Sequence, residues 1–319
     1  KTYSDGEYAE YSFNKLENDV KKQAESIVEE IEKLKKAVPD CVEKIKLAKL
    51  NDEPVSFVKS TQYEISPFTL GAQAIVDKLS ALRQKGIDSD ERILDCGTRL
   101  SCRKYSKLFL SENKDMEQNI MITDCAMSFA ARKDSEVKSY FTSASNLGGA
   151  EVLDKLESSM EHSVEMTIAL LDSEPITPGE YDCICTPEVT GMIVHEAFGH
   201  GVEMDMFAKK RALAEEYVGE YVASHLINMH DGAAAADEVA SYFFDDDGVE
   251  AEDTLIIENG VLKQGISDTM AAMRLNTVPT GNSRRESYRR KAYTRMTNTY
   301  FEAGHDKLED MIASIDDGY

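Results

Sequence analysis

Between Glu91 and Ser145 the hydrophobic pattern runs with a period near two, and this stretch narrows the choice of fold more than any other. Residues 93–100, 105–110, 120–130 and 136–143 each read as extended segments. Polar breaks such as Ser111-Glu112-Asn113-Lys114-Asp115 separate them. Strands joined by short breaks favour an antiparallel meander, and such a sheet needs helices to cover one face. The flanking sequence supplies them. Phe13, Leu16, Val20, Ile27, Ile31 and Leu34 recur at three- and four-residue steps, which predicts an amphipathic helix over 13–38, ended by Pro39. A second helix is predicted over 67–85, stopping at Gly86, and a third over 150–171. Residues 41–49 carry no decisive pattern, and 55–58 form a brief apolar run.

Two prolines and a glycine in Asp172-Ser173-Glu174-Pro175-Ile176-Thr177-Pro178-Gly179 mark the best break in the chain. The expected domains are therefore 1–175 and 176–319. In the second, residues 181–186 read as a strand with Cys183 and Cys185 on one face. Two small core side chains account for that pair better than metal ligands do. A helix is expected over 214–229, with His225 and His230 as structural residues. Paired strands follow over 242–266, with Asn259-Gly260 as the hairpin turn. Asp245-Asp246-Asp247-Gly248 lacks the full calcium-loop pattern and reads as a charged turn. Residues 267–275 read as a short helix, 293–301 as extended, and 304–315 as a last helix. The fold class is α+β: an N-terminal antiparallel sheet with flanking helices, then a β-rich C-terminal part.

Composition limits the partners. The chain has 319 residues and a formal net charge of −23, which repels phosphate backbones and argues against direct nucleic-acid binding. No apolar run approaches a membrane span, and no signal peptide is recognisable. Cys41, Cys96, Cys102, Cys125, Cys183 and Cys185 form no C-x-x-C pair, which suits a reducing cytoplasm.

One short stretch carries recognisable chemistry. The apolar run Met192-Ile193-Val194 leads into His195-Glu196, and His200 follows. Two imidazoles can hold a divalent metal, and a carboxylate between them can take a proton from water. In the common H-E-x-x-H arrangement the histidines lie roughly 40° apart around a helix. Here they are five residues apart, which opens the angle to roughly 140° in a regular helix. One ion can be shared only if the helix ends or distorts between them. Gly199 and Gly201 flank His200 and would permit a last-turn break or an inserted π-type turn.

The stretch from His195 to Asp205, His-Glu-Ala-Phe-Gly-His-Gly-Val-Glu-Met-Asp, resembles the HEAxGHxxExD block of the TldD/PmbA metallopeptidases, also described as modulators of DNA gyrase. Further blocks match in order: Phe243-Phe244-Asp245-Asp246-Asp247-Gly248-Val249, Ile257-Glu258-Asn259-Gly260-Val261-Leu262, Thr280-Gly281-Asn282-Ser283-Arg284-Arg285-Glu286-Ser287-Tyr288 and Arg295-Met296-Thr297-Asn298-Thr299-Tyr300. The resemblance is strong over 179–300 and holds in pattern only before that. It implies one zinc per chain held by His195 and His200, with Glu196 as general base and later general acid. It implies a third ligand, a cysteine, from beyond Tyr319, so the chain reads as truncated there and at its start. Glu203 and Asp205 match the block too, either orienting a histidine or as solvated charges. Arg295, Thr297 and Asn298 lie in a segment expected near the substrate cleft, where an extended strand could pair with a peptide; a core strand is the other reading. The implied partners are a peptide substrate and a second subunit, a copy or a paralogue.

The function expected is a zinc-dependent peptidase acting on unfolded or small peptides, including maturation of peptide precursors. The alternative is a non-catalytic peptide-binding or partner subunit of the same fold.

Overall fold

The structure is a computed structural model that describes residues 2–4, 7–37 and 53–318. The segment 41–49, with Cys41, lies outside the described residues. Strands β1 (Thr2–Ser4) and β2 (Glu7–Ala9) pair antiparallel. Helix α1 spans Val20–Lys36, shorter than the pattern predicted, because Asp19 caps it by accepting from the Lys22 N–H at 3.0 Å. Of the apolar positions that predicted it, Ile31 is buried, whereas Val20 and Leu34, and Phe13 and Leu16 before the helix, are exposed.

One compact unit comprises Val55–Ile184 with Ala236–Ser241 and Asp306–Tyr319. It contains β3 (Val55–Ser60), α2 (Pro67–Leu70), α3 (Ala72–Ile87), β4 (Ile93–Leu110), β5 (Lys114–Lys133), β6 (Glu136–Asn146), α4 (Val152–Ser158) and α5 (Met160–Ala169). Strand β5 is central. It pairs antiparallel with β4 and β6 and parallel with β3. The meander and its helical cover are as expected: Leu82, Leu156 and Met160 from the helices pack with Cys96, Met127 and Phe129 from the sheet.

Three local expectations fail here. Segments 93–100 and 105–110 are one strand of 18 residues. Its polar middle, Ser101 to Lys104, stays extended because β5 pairs with it throughout. The second predicted helix breaks at Gly71, whose φ of 87° only glycine adopts freely. It then runs past Gly86 to Ile87. Gly86 is a packing residue, since a Cβ there would lie 2.8 Å from Cys96 Sγ and 2.9 Å from Phe129 Cε1.

The other unit comprises Cys185–Ala235 and Tyr242–His305, together with the described part of Lys1–Pro54. The sequence placed one boundary at 175/176 instead. Composition reports where a chain is loose, not which remote segments pack together. The unit holds α6 (Pro187–Ile193), a π-turn (Val194–Gly199), a 3₁₀ turn (His200–Val202), α7 (Met204–Phe207), β7 (Met229–Gly232), β8 (Thr254–Glu258), β9 (Val261–Leu262), α8 (Thr269–Leu275), β10 (Ser283–Arg284), β11 (Tyr293–Thr294) and β12 (Asn298–Phe301). Helix α9 (Leu308–Ala313) belongs to the first unit. An antiparallel sheet runs in the order β12-β7-β8-β9. Asn259 (φ 48°) and Gly260 (φ 82°) make the expected turn between β8 and β9. Val194, Val202, Met229, Ile256, Leu262 and Met296 form the core.

Residues 181–186 are not a strand; Asp182 makes only an isolated bridge to Gly318. Cys183 and Cys185 are accordingly exposed rather than core residues. The helix expected over 214–229 is absent. A 3₁₀ turn (Leu213–Tyr217) is followed by irregular chain. Its backbone bonds to the β8–β9 hairpin instead: Gly219 N–H donates to Leu262 C=O at 2.7 Å and Val222 N–H to Gly260 C=O at 2.9 Å. Among the described residues no helix is long and apolar enough to cross a membrane.

Candidate metal centre

Helix α6 opens with Pro187 and carries no buried side chain, so its direction is set downstream. There Val194 and Val202, 1% and 0% exposed, plunge into the core eight residues apart. The chain between them does not stay α-helical. Val194–Gly199 form a π-turn, and the N–H of His200 donates to the C=O of His195. That is an i→i+5 bond, so the two histidines sit one wider turn apart and share a face. Their ring centroids are 4.9 Å apart with planes at 81°. Of the two devices that the spacing required, the structure uses the inserted turn.

The glycines act differently from expectation. Gly199 has ordinary right-handed torsions (φ −55°, ψ −50°), so freedom of φ is not its role. It is a glycine because a Cβ would fall 2.0 Å from Met296 Sδ. A Cβ on Gly201 would meet nothing within 4 Å.

His195, Glu196 and His200 present donor atoms that all lie within 4.8 Å of one another, and all three are exposed. Behind them sits Glu203, 5% exposed, with Oε1 3.4 Å from His200 Nδ1 and Oε2 3.2 Å from Arg295 Nη1. Burial pushes the Glu203 carboxyl up, while Arg295 and His200 pull it down and Asp205 adds to the rise. A carboxylate facing Nδ1 favours the tautomer that leaves Nε2 free as an acceptor or ligand. Oε1 has no hydrogen-bond partner, so its approach to the His200 ring is electrostatic. Asp205 turns instead to Lys209, 2.7 Å away, though its Oδ1 is buried without a hydrogen-bond partner.

The fit to a zinc ion follows from this donor set. Zinc takes imidazole nitrogen and carboxylate oxygen. Two imidazoles on one face, a carboxylate beside them and a buried acid behind one ring suit that ion. No cysteine joins the group among the described residues.

The segment 295–298 lies beside the centre without adding a donor to it. Arg295 reaches Glu203 and stacks 5.6 Å over the Tyr293 ring. Thr297 donates N–H and Oγ1–H to Asp231, both at 3.0 Å. Asn298 Nδ2–H donates to Gly232 C=O at 3.2 Å. Asp231, fully buried, also accepts from Asn282 Nδ2 at 2.6 Å and Thr299 Oγ1 at 2.5 Å. No local pattern marked it, since it lies just past the helix expected over 214–229. These bonds break the extended run expected over 293–301 into β11 and β12. His230, one residue earlier, lies between Asp253 (2.8 Å) and Glu302 (2.9 Å) and stacks on Tyr300, so its structural reading agrees with its surroundings.

Residues 178–319 match the PmbA/TldA metallopeptidase C-terminal domain. A metalloprotease TldD homolog from Buchnera aphidicola is 35% identical over 158 residues, which are 50% of this chain and 33% of that protein. A zinc metalloprotease TldD homolog from Saccharolobus solfataricus is 37% identical over 144 residues, 44% of this chain and 32% of that protein. The chain thus spans about a third of the length of these relatives. The crystal structure of TldE from Thermococcus kodakarensis shares the fold, with a TM-score of 0.69 at 21% identity over 94% of this chain and 67% of that one. Residues 178–319 therefore carry the C-terminal domain of the PmbA/TldA metallopeptidases, and the chain shares the fold of TldE.

Proposed function

We propose that the chain carries the ligand and proton-transfer residues of a zinc-dependent peptidase acting on unfolded or small peptides. The observation that carries this reading is the π-turn that brings His195, Glu196 and His200 within 4.8 Å. The printed name of the Saccharolobus relative supports zinc as the ion. His195 and His200 would hold it, with a cysteine as the proposed third ligand. Zinc supplies Lewis acidity, lowering the pKa of a water it holds and polarising a carbonyl oxygen.

The chain's own residues do the rest. Glu196 takes a proton from the attacking water onto its carboxylate and returns it to the leaving amine. Glu203 fixes the His200 ring, and Arg295 shares the charge of Glu203 across 3.2 Å. Strand β12 is at the edge of its sheet, so an extended peptide can align there through main-chain bonds and with little sequence preference.

The test is Glu196→Gln in the full-length protein, with zinc content and peptide turnover both measured. Turnover should fall about 100-fold or more with zinc retained. Unchanged turnover removes Glu196 from the reaction, and an inactive, zinc-free wild type favours a peptide-binding subunit.

A further inference from the structure

A π-turn is uncommon and its hydrogen bonding is poor, so packing from outside must hold one in place. In this unit the candidate for that packing is a single side chain. Met296 is 6% exposed and shares a core cluster with Val194 and Val202, the residues that bracket the turn. Its sulfur fills the position that a Cβ on Gly199 would occupy, 2.0 Å from that ideal Cβ. Gly199 ends the π-turn and directly precedes His200. The slot and its occupant are therefore matched at the point where the helix departs from α geometry.

Met296 is itself held firmly. The next residue, Thr297, gives both its N–H and its hydroxyl to the buried Asp231. Arg284 Nη1 donates to the Met296 C=O at 3.1 Å. The preceding residue, Arg295, grips Glu203, which stands against His200. One short stretch thus reaches the histidine pair from two sides.

We infer that Met296 is a positioning residue for the metal ligands: seated in the Gly199 slot, it holds the π-turn and so sets His195 and His200 on one face. Without that contact the segment relaxes toward a regular helix, where five residues separate the imidazoles by roughly 140°. This role rests on the zinc-peptidase reading above.

Two readouts on the full-length protein test it. Amide exchange of His200, measured without metal, reports the bond to the His195 C=O. Cobalt(II) affinity, followed by absorption, reports the ligand pair. Gly199→Ala should speed that exchange and weaken cobalt binding by about 10- to 100-fold. Adding Met296→Ala relieves the crowding but also removes the contact, so neither loss should be recovered; recovery of both would mean that Met296 merely crowds the turn, and overturns the role. If Gly199→Ala does not fold, Met296→Leu, which withdraws the straight chain from the slot, is read by the same two measurements. Wild-type exchange and affinity in a folded Gly199→Ala or Met296→Leu protein overturn the role alone. A wild type that keeps the His200 amide protected yet takes no cobalt overturns the zinc reading, and the role with it.

Discussion

At the scale of single residues, what the sequence showed depended on how far apart the partners lie. His195, Glu196 and His200 lie within six consecutive residues, so their chemistry was legible as a motif. Asp231 was invisible because its partners Asn282, Thr297 and Thr299 are 51, 66 and 68 residues away. Asp245 is a mixed case, with two local donors and one remote. It is buried and accepts the N–H groups of Asp247 (2.8 Å), Val249 (2.9 Å) and Ser283 (2.9 Å). Burial, with Asp247 adding, raises its carboxyl from 3.8 to about 7, against the pull of those three donors. A carboxyl raised on folding stabilises the native state most below pH 3.8 and loses that contribution as pH climbs to about 7. Between those limits the melting temperature of Asp245→Asn should gain on that of the wild type as pH rises. Parallel melting curves across the window would show that the group does not titrate there.

Among elements, periodicity found the sheet and most helices, because the β4–β5–β6 meander buries alternate residues locally. It failed where long-range bonds outbid local preference. The stretch 214–229 has a helical pattern, but its backbone is claimed by the β8–β9 hairpin. Gly86 looked like a helix stop and is a contact between α3 and the sheet. Gly86→Ala leaves helix propensity improved yet forces a methyl against Cys96 and Phe129. The crowding should win, lowering unfolding free energy by about 1–3 kcal/mol in urea titration. A stabilised variant would mean that α3 can move outward without loss.

For the molecule as a whole, composition spoke to partners more clearly than to architecture. Periodicity yielded the α+β class but not the grouping of the described part of Lys1–Pro54 with the unit of the candidate metal centre, which depends on contacts no local pattern encodes. The net charge of −23 has a direct consequence. Duplex DNA should show no retention by this protein at an ionic strength of about 0.15 M, where screening leaves repulsion at contact range. Binding with a steep salt slope would reveal a cationic face that the overall charge conceals.

The π-turn is, in the language of sequence change, a one-residue insertion absorbed by the backbone. Deleting Ala197 should therefore do little to the imidazole pair: the turn would close to α geometry and the histidines would fall at the four-residue spacing of a straight helix, again on one face. Sequences that differ by such a step can keep the same metal-facing surface, and a fixed-spacing search that finds one will pass over the other.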